Sequence, residues 1–524
     1  MIVEAAVLAA TMGGVTWGWQ HRWLRYGTNG PWRHYGTVVA PHGRRRLVIG
    51  RSLYEKHAAV WGGTGSGKSF LAAHIGCLAA RDGAGLVVLD PHATMIDRLL
   101  MGGADLLAPR GTVVLYPGSD LHRVVPWNPL HVAGGATPWR VAERFLGACA
   151  RLWGLSMERT PRIWHVLSMS TAALAAAGYT PLEIVPFLED AAFRAYIIAR
   201  ANLRHVTTWA EKFDAKNETQ QEEQALSTIH RLRQLQTTPV LQQLVGLGVT
   251  DPRDRAAYRQ PTGHAPAPPA DLAHAVAAGC HLLVALPEQA VGEYQFFCAA
   301  LILDAVVRTV MQRDADHVTT RTELLLDEIG RLASVAPNLI TVLAEARKYG
   351  CIAHVFGQGR YQVADERLGK ELDGNTAIKL FGPTSLTDEA AAAGRMADTT
   401  DAKVWEQRVR ALQDRHFVLI ARGLPALEIV TPTFRSHWDR ETAYRTAGHV
   451  SALPSIATDD ARRELDWRVG WIQAGGYRGA GAPPPARASI APAYLDDLPG
   501  EVAVPLTRSS RAVDVQVTRS RRKG

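Results

Sequence analysis

The chain has 524 residues, 47% of them apolar, with 58 basic against 50 acidic residues for a formal charge of +8. That length allows more than one core and the composition is that of a globular protein, which excludes a disordered or collagen-like chain. The five cysteines (Cys77, Cys149, Cys280, Cys298, Cys351) form no C-x-x-C pair or Cys/His cluster, which argues against a disulfide framework and a zinc site and for buried thiols in a reducing compartment.

Ile2 to Trp19 is apolar apart from Glu4, Thr11 and Thr16, and Arg22 and Arg25 follow among Trp17, Trp19, Trp23 and Tyr26. Eighteen helical residues span about 27 Å, just under a hydrocarbon core of ~30 Å. Residues 1–26 are therefore expected to form a short apolar helix anchored in the cytoplasmic membrane. Basic residues follow the run and none precede it, which places the rest of the chain in the cytoplasm and gives no n-region for a cleaved signal.

A polar connector is expected to about residue 45. Then His57-Ala58-Ala59-Val60-Trp61 reads as a strand, Gly62-Gly63-Thr64-Gly65-Ser66-Gly67-Lys68-Ser69 as a phosphate-binding loop, and Phe70 to Ile75 as the start of a helix. Glycines let backbone N–H groups turn inward around phosphate oxygens, and the helix dipole adds positive potential. Lys68 would reach the β- and γ-phosphates, and the Ser69 hydroxyl would ligate Mg²⁺. The loop predicts binding of a nucleoside triphosphate.

Gly85 to Asp90 and Thr112 to Tyr116 continue a strand–helix alternation, so the expected class is α/β, a parallel sheet flanked by helices. Residues 27–136 form its first part. From 137 to 260 the period becomes helical, with Ile163, Val166, Leu167, Ala173 and Leu174, then Leu226, Ile229, Leu232 and Leu235, on apolar faces. This is an all-helical insertion. Its basic residues, Arg194 among them, alternate with acids, which reads as a solvated mixed-charge surface. Residues 261–270 are a Pro-rich linker. The sheet resumes over 271–435, and 436–524 is expected to be a largely disordered basic tail.

Thr322-Glu323-Leu324-Leu325-Leu326 reads as a buried strand delivering Asp327 and Glu328 to its C-terminal edge, where open α/β sheets bind ligands. Asp327 would hold Mg²⁺ and Glu328 would act as general base toward the attacking water.

Together, the phosphate loop, Leu89-Asp90-Pro91-His92, Trp127-Asn128-Pro129-Leu130, the Asp327-Glu328 strand, Glu345-Ala346-Arg347-Lys348-Tyr349-Gly350, Gln358 and Gly374-Asn375 resemble the ring ATPases of conjugative type IV secretion. These coupling proteins belong to the FtsK–HerA group of DNA-pumping motors. The resemblance covers most of residues 50–435. It implies a RecA-like P-loop fold, ATP and Mg²⁺ as cofactors, a homo-hexameric ring at the inner membrane, a DNA or nucleoprotein substrate, and secretion-system membrane proteins as partners. It also implies that Gln358 senses the γ-phosphate and that Arg347 reaches into the neighbouring subunit's site. Two departures stand out: the usual Asp-Pro-x-Gly-Asp is here Asp90-Pro91-His92-Ala93-Thr94, and at most one apolar segment precedes the motor where relatives often have two. The alternatives are a nucleotide-gated secretion scaffold that pumps nothing and a soluble HerA-like DNA-processing motor.

Overall fold

The computed structural model describes residues 23–26, 32–40, 43–119, 123–133, 135–249, 268–336, 338–421, 424–433, 435–448, 453 and 455–478. The expected anchor at 1–26 lies outside them except for Trp23–Tyr26, and so does most of the linker at 261–270 and the end of the tail.

Seven parallel strands form the centre: β4 (His57–Trp61), β5 (Gly85–Asp90), β6 (Thr112–Leu115), β8 (His281–Ala285), β9 (Thr322–Leu326), β10 (Cys351–Gly357) and β11 (Thr376–Phe381). Their order across the sheet is β11-β4-β10-β9-β5-β8-β6, so the phosphate-loop strand β4 is interior. These strands are short apolar runs because both faces are covered, as parallel sheets require. On β4, Ala59 and Trp61 belong to one apolar layer, and Ala58 and Val60 to the other. The helices Lys68–Arg81 and Thr94–Leu107 cover the second face, while the helical insertion and the helix Gln295–Met311 cover the first.

Beyond β11 the sheet turns antiparallel through β12 (His416–Ala421), β13 (Leu427–Val430) and β2 (Arg33–Ala40). The strand β3 (Gly43–Ile49) then pairs antiparallel with β2, and β1 (Trp23–Tyr26) parallel with β3, completing twelve strands among the described residues. The stretch expected to be a polar connector is thus a hairpin of the main sheet. The Arg44-Arg45-Arg46 run disguised it, because three consecutive arginines erase the period-2 alternation by which a strand is read.

Consecutive helices from Pro138 to Val245 make up the insertion. Two side chains there correct the expectation. Leu226 is 45% exposed, off the apolar face that Ile229, Leu232 and Leu235 bury. Arg194, read as solvated, is 0% exposed; its Nε donates to Asp214 Oδ1 (2.9 Å) and its Nη1 to the Phe187 and Leu188 carbonyls (2.8 and 3.0 Å).

Order also extends past residue 435, into the expected tail. Arg440–Gly448 and Thr458–Gln473 are helices, and β14 (Ile456–Ala457) pairs with β7 (Arg123–Val124). The second helix is pinned by Arg468, 1% exposed, whose Nε lies 2.7 Å from Glu183 Oε1 in the insertion. All five cysteines are free and buried. Among the described residues, one helical segment, Glu288–Met311, is long and apolar enough to cross a membrane, and it is mostly buried within the protein.

Candidate active site

The phosphate loop follows β4 directly and is tied down on both sides. Gly62 N donates to Gly357 O (3.1 Å), at the end of β10, and Gly63 N to Pro383 O (3.1 Å), just past β11. Gly65 and Gly67 sit at φ +83° and +96°, the left-handed region that glycine adopts without penalty. A Cβ on Gly67 would also meet Arg415 Cγ at 2.9 Å. Arg415, itself at φ +67°, donates its backbone N–H to Ser66 O (2.9 Å), so the turn before β12 braces the loop.

Lys68 opens the helix Lys68–Arg81, and its Nζ donates to the carbonyls of Gly62 (2.7 Å) and Gly63 (3.0 Å). The ammonium thus lies across the loop mouth, its pKa lowered by burial against the pull of Asp327 and Glu328. Ser69 follows on the same first turn, and the Ser66 hydroxyl is buried without a partner.

Two strands away, β9 ends at Asp327 and Glu328, both buried. Asp327 N donates to Leu89 O (3.0 Å), fixing this end of β9 against β5. Asp327 Oδ1 accepts from Glu328 N (3.0 Å). Burial, with Asp90 adding repulsion, pushes its pKa up to about 7. A buried carboxylate held so unfavourably is the expected donor for a divalent cation, which would return it to the charged form. The donor set of Ser69 and Asp327 fits Mg²⁺ chemistry.

Glu328 adopts φ +50°, an uncommon left-handed conformation for a non-glycine residue and a form of strain that persists at functional sites. Its Oε1 accepts from Gln358 Nε2 (3.1 Å) and lies 3.8 Å from His92 Nε2. The His92 contact, with help from Gln358, lowers the Glu328 pKa despite burial; Glu328 in turn raises that of His92. At neutral pH Glu328 is therefore an ionised acceptor, as a general base must be.

His92, at the end of Leu89-Asp90-Pro91-His92, is a site residue that its sequence neighbours alone do not mark. Its position is set by Asp90, whose Oδ1 accepts from His92 N (2.9 Å) and whose Oδ2 accepts from Met95 N (2.6 Å) and Ile96 N (3.0 Å). Asp90 thereby caps the helix Thr94–Leu107 and turns the chain sharply after β5. Where the related pattern has glycine, Ala93 stands at φ +62°, held there by that turn. The signal available in the sequence was an Asp-Pro pair ending a buried strand, but not its distant carboxylate partner.

The structure therefore gathers Gly62–Ser69, Asp327, Glu328 and Gln358 at one edge of the sheet. Arg347 is elsewhere. It lies exposed in the turn Ala346–Tyr349, before β10 rather than after it, and makes no ion pair among the described residues. Thr322 N donates to Gly350 O (2.9 Å), so this turn borders the edge where β9 starts, not where it ends. The length of β10, roughly 20 Å at ~3.3 Å per residue, separates Arg347 from Gln358 in the same subunit.

The family described as helicase HerA, central domain, matches residues 34–111, which hold the phosphate loop and Asp90–Thr94. VirB4 of Thermoanaerobacter pseudethanolicus is similar in structure, 13% identical over 78% of this chain and 98% of that one, with a TM-score of 0.50. The plasmid coupling protein TrwB in complex with ADP and Mg²⁺ is 13% identical over 79% of this chain and 98% of that one, with a TM-score of 0.47. No curated protein sequence matches. The P-loop α/β class and the FtsK–HerA resemblance read from the motifs are borne out by the family match and the shared fold.

Proposed function

We propose that this chain is an ATPase of a conjugation or type IV secretion apparatus that moves DNA, or a DNA–protein conjugate, as a homo-hexameric ring at the cytoplasmic membrane. The observation that carries the reading is the convergence of Lys68, Asp327, Glu328 and Gln358 around one loop, with a base already ionised and hydrogen-bonded.

On this reading the loop amides and Lys68 bind the β- and γ-phosphates of ATP, with Lys68 exchanging the Gly62 and Gly63 carbonyls for phosphate oxygens. Mg²⁺, held by Ser69 and Asp327, would neutralise charge on the β- and γ-oxygens. Glu328 takes the proton of a water attacking the γ-phosphorus, the bond from that phosphorus to the bridging oxygen breaks, and ADP leaves. Gln358, bonded to Glu328 through its amide, registers whether the γ-phosphate is present. Arg347, remote from its own loop, is assigned to the neighbouring subunit's site, where a cation stabilises charge on the transferring group.

The names of the similar proteins, a coupling protein and VirB4, support the secretion setting. The test is steady-state ATP turnover by the full chain with and without DNA. Turnover stimulated by DNA, and reduced about 100-fold or more by Lys68→Ala and by Glu328→Gln, is expected given the ~10²–10⁴ contributed by a general base. Tight ATP binding with negligible turnover, indifferent to Glu328→Gln, would instead mark a scaffold.

A further inference from the structure

A second site lies away from the phosphate loop. Between the helix Pro138–Trp153, the helix Leu272–Ala277 and the later part of Gln295–Met311 is a cavity of about 750 Å³. It reaches Met311 and Gln312, toward the edge of the sheet where strands begin. The Trp127-Asn128-Pro129 segment, a recognised motif that nucleotide chemistry does not use, forms one wall. Asn128 holds that wall rigid: its Nδ2 donates to Tyr179 O (3.0 Å) and its Oδ1 accepts from Leu130 N (2.9 Å).

Three guanidinium groups line the cavity. Arg140 and Arg144 are one turn apart on the first helix, and Arg308 faces them from the third. The two carboxylates in the lining are already committed. Asp271 caps its own helix, accepting from His274 N (2.9 Å). Asp304 accepts from Arg308 Nε (2.7 Å) and, with its other oxygen, from Asn338 Nδ2 (2.5 Å), leaving Arg144 Nε 3.7 Å away. Arg144 Nε is buried without a hydrogen-bond partner, and Arg140 has no ion-pair partner among the described residues. Burial and the nearby Arg308 lower the Arg144 pKa. Asp304 thus neutralises Arg308, while Arg144, partly buried and short of a hydrogen bond, and the exposed Arg140 leave positive charge at the cavity that an anion would complete.

We propose that this cavity binds the phosphodiester backbone of a nucleic-acid strand. Arginine forks match phosphate geometry bidentately. The volume far exceeds one phosphate, so consecutive phosphates of one backbone fit. The reading rests on the cargo of the proposed function being nucleic acid. Asn338, bonded to Asp304, begins the helix that runs to Glu345 and the Arg347 turn, so strand binding and turnover share a structural element.

The experiment measures binding of a fluorescent oligo-dT by the full chain across a salt series. The proteins are wild type, Arg140→Gln/Arg144→Gln, and Arg140→Glu, the last at an exposed position that leaves the fold undisturbed. Both variants should weaken binding at least ~10-fold, and the double variant should reduce the salt slope by about 1.4, since single strands give ~0.7 per phosphate contact. ATP affinity and turnover without DNA should be unchanged. Wild-type affinity and slope in both variants would overturn the inference while leaving the motor reading intact. Absence of oligo-dT binding by wild type would overturn the inference and leave the motor reading to the DNA-stimulated turnover that tests it. Pyrophosphate is titrated calorimetrically in parallel: if the variants lose it but keep oligo-dT, the site holds free phosphates and the nucleic-acid assignment is wrong.

Discussion

His92 Nε2 stands 3.8 Å from Glu328 Oε1, so the turn after β5 supplies an imidazole neighbour, its pKa raised by this contact, to the carboxylate at the end of β9. Together with Gln358 it holds Glu328 from two sides. A half-exposed ion pair of this kind contributes about 0–1 kcal/mol. His92→Gln is therefore expected to lower ATP turnover by up to about 5-fold with the KM for ATP almost unchanged. Steady-state kinetics checks this; an equal rise in KM with kcat intact would show that His92 serves binding instead.

Arg347 is remote from the loop of its own chain, which makes the proposed ring testable by mixing. Arg347→Ala should abolish turnover while each subunit still binds ATP, and so should keep the affinity that Lys68→Ala loses. Combining the two inactive proteins should restore part of the activity, because an intact loop then meets an intact arginine across an interface. No recovery in mixed assemblies would count against the shared site.

Arg33 on β2 is wholly buried and grips Glu323 on β9 with two hydrogen bonds, Nη1–Oε2 3.0 Å and Nη2–Oε1 2.8 Å. Its Nε donates to Asp82 (2.7 Å), and His354 Nε2 lies 3.0 Å from Glu323. Burial alone would raise the Glu323 pKa; Arg33 and His354 outweigh it and hold the group at about 2. Removing one partner leaves an unpaired buried charge, so Arg33→Met should cost about 3–5 kcal/mol, whereas Arg33→Met/Glu323→Met should cost less. Denaturant unfolding of the two variants checks the sign of the difference.

His57 and His281 are buried and neutral. The Nδ1 of His57 accepts from Ala353 N (2.9 Å), and that of His281 from Leu86 N (3.1 Å). Burial pushes both pKa values down to about 4. Above the unfolded value of ~6.5 neither group binds a proton in either state, and their contribution to stability is complete. As pH falls from there to about 4 the unfolded chain takes up protons that the native one refuses, so stability declines, on the order of 3 kcal/mol for each histidine. Glu323 gives way lower, between the unfolded ~4.3 and about 2. Unfolding free energy measured across pH 4–7 should flatten in His57→Gln/His281→Gln, even though that protein is less stable at pH 7.

Local chemistry was legible in the sequence wherever a motif and its context are contiguous. The phosphate loop between β4 and its helix, and Asp327-Glu328 after three leucines, needed only their neighbours. His92 was not legible as a partner of Glu328, because their meeting depends on β5 and β9 being adjacent, a fact of sheet order. The same holds for Arg33 and Glu323. The hairpin of β2 and β3 was hidden by its arginines, and the helix Thr458–Gln473 by a polar composition whose anchoring residue, Arg468, finds its carboxylate only in the insertion. Charged residues with distant partners look solvated until the fold is known.

The strand β10 has one further consequence. It is buried along all seven residues and hydrogen-bonded on both sides, to β4 and to β9, so it can shift only as a piece. Gln358 leaves one end and the Arg347 turn enters the other. On the proposed reading, in which Gln358 feels its own γ-phosphate and Arg347 touches a neighbour's, the strand would work as a pushrod carrying a displacement from one rim to the other, and a ring built this way would hand its state from seat to seat in a fixed rotational order.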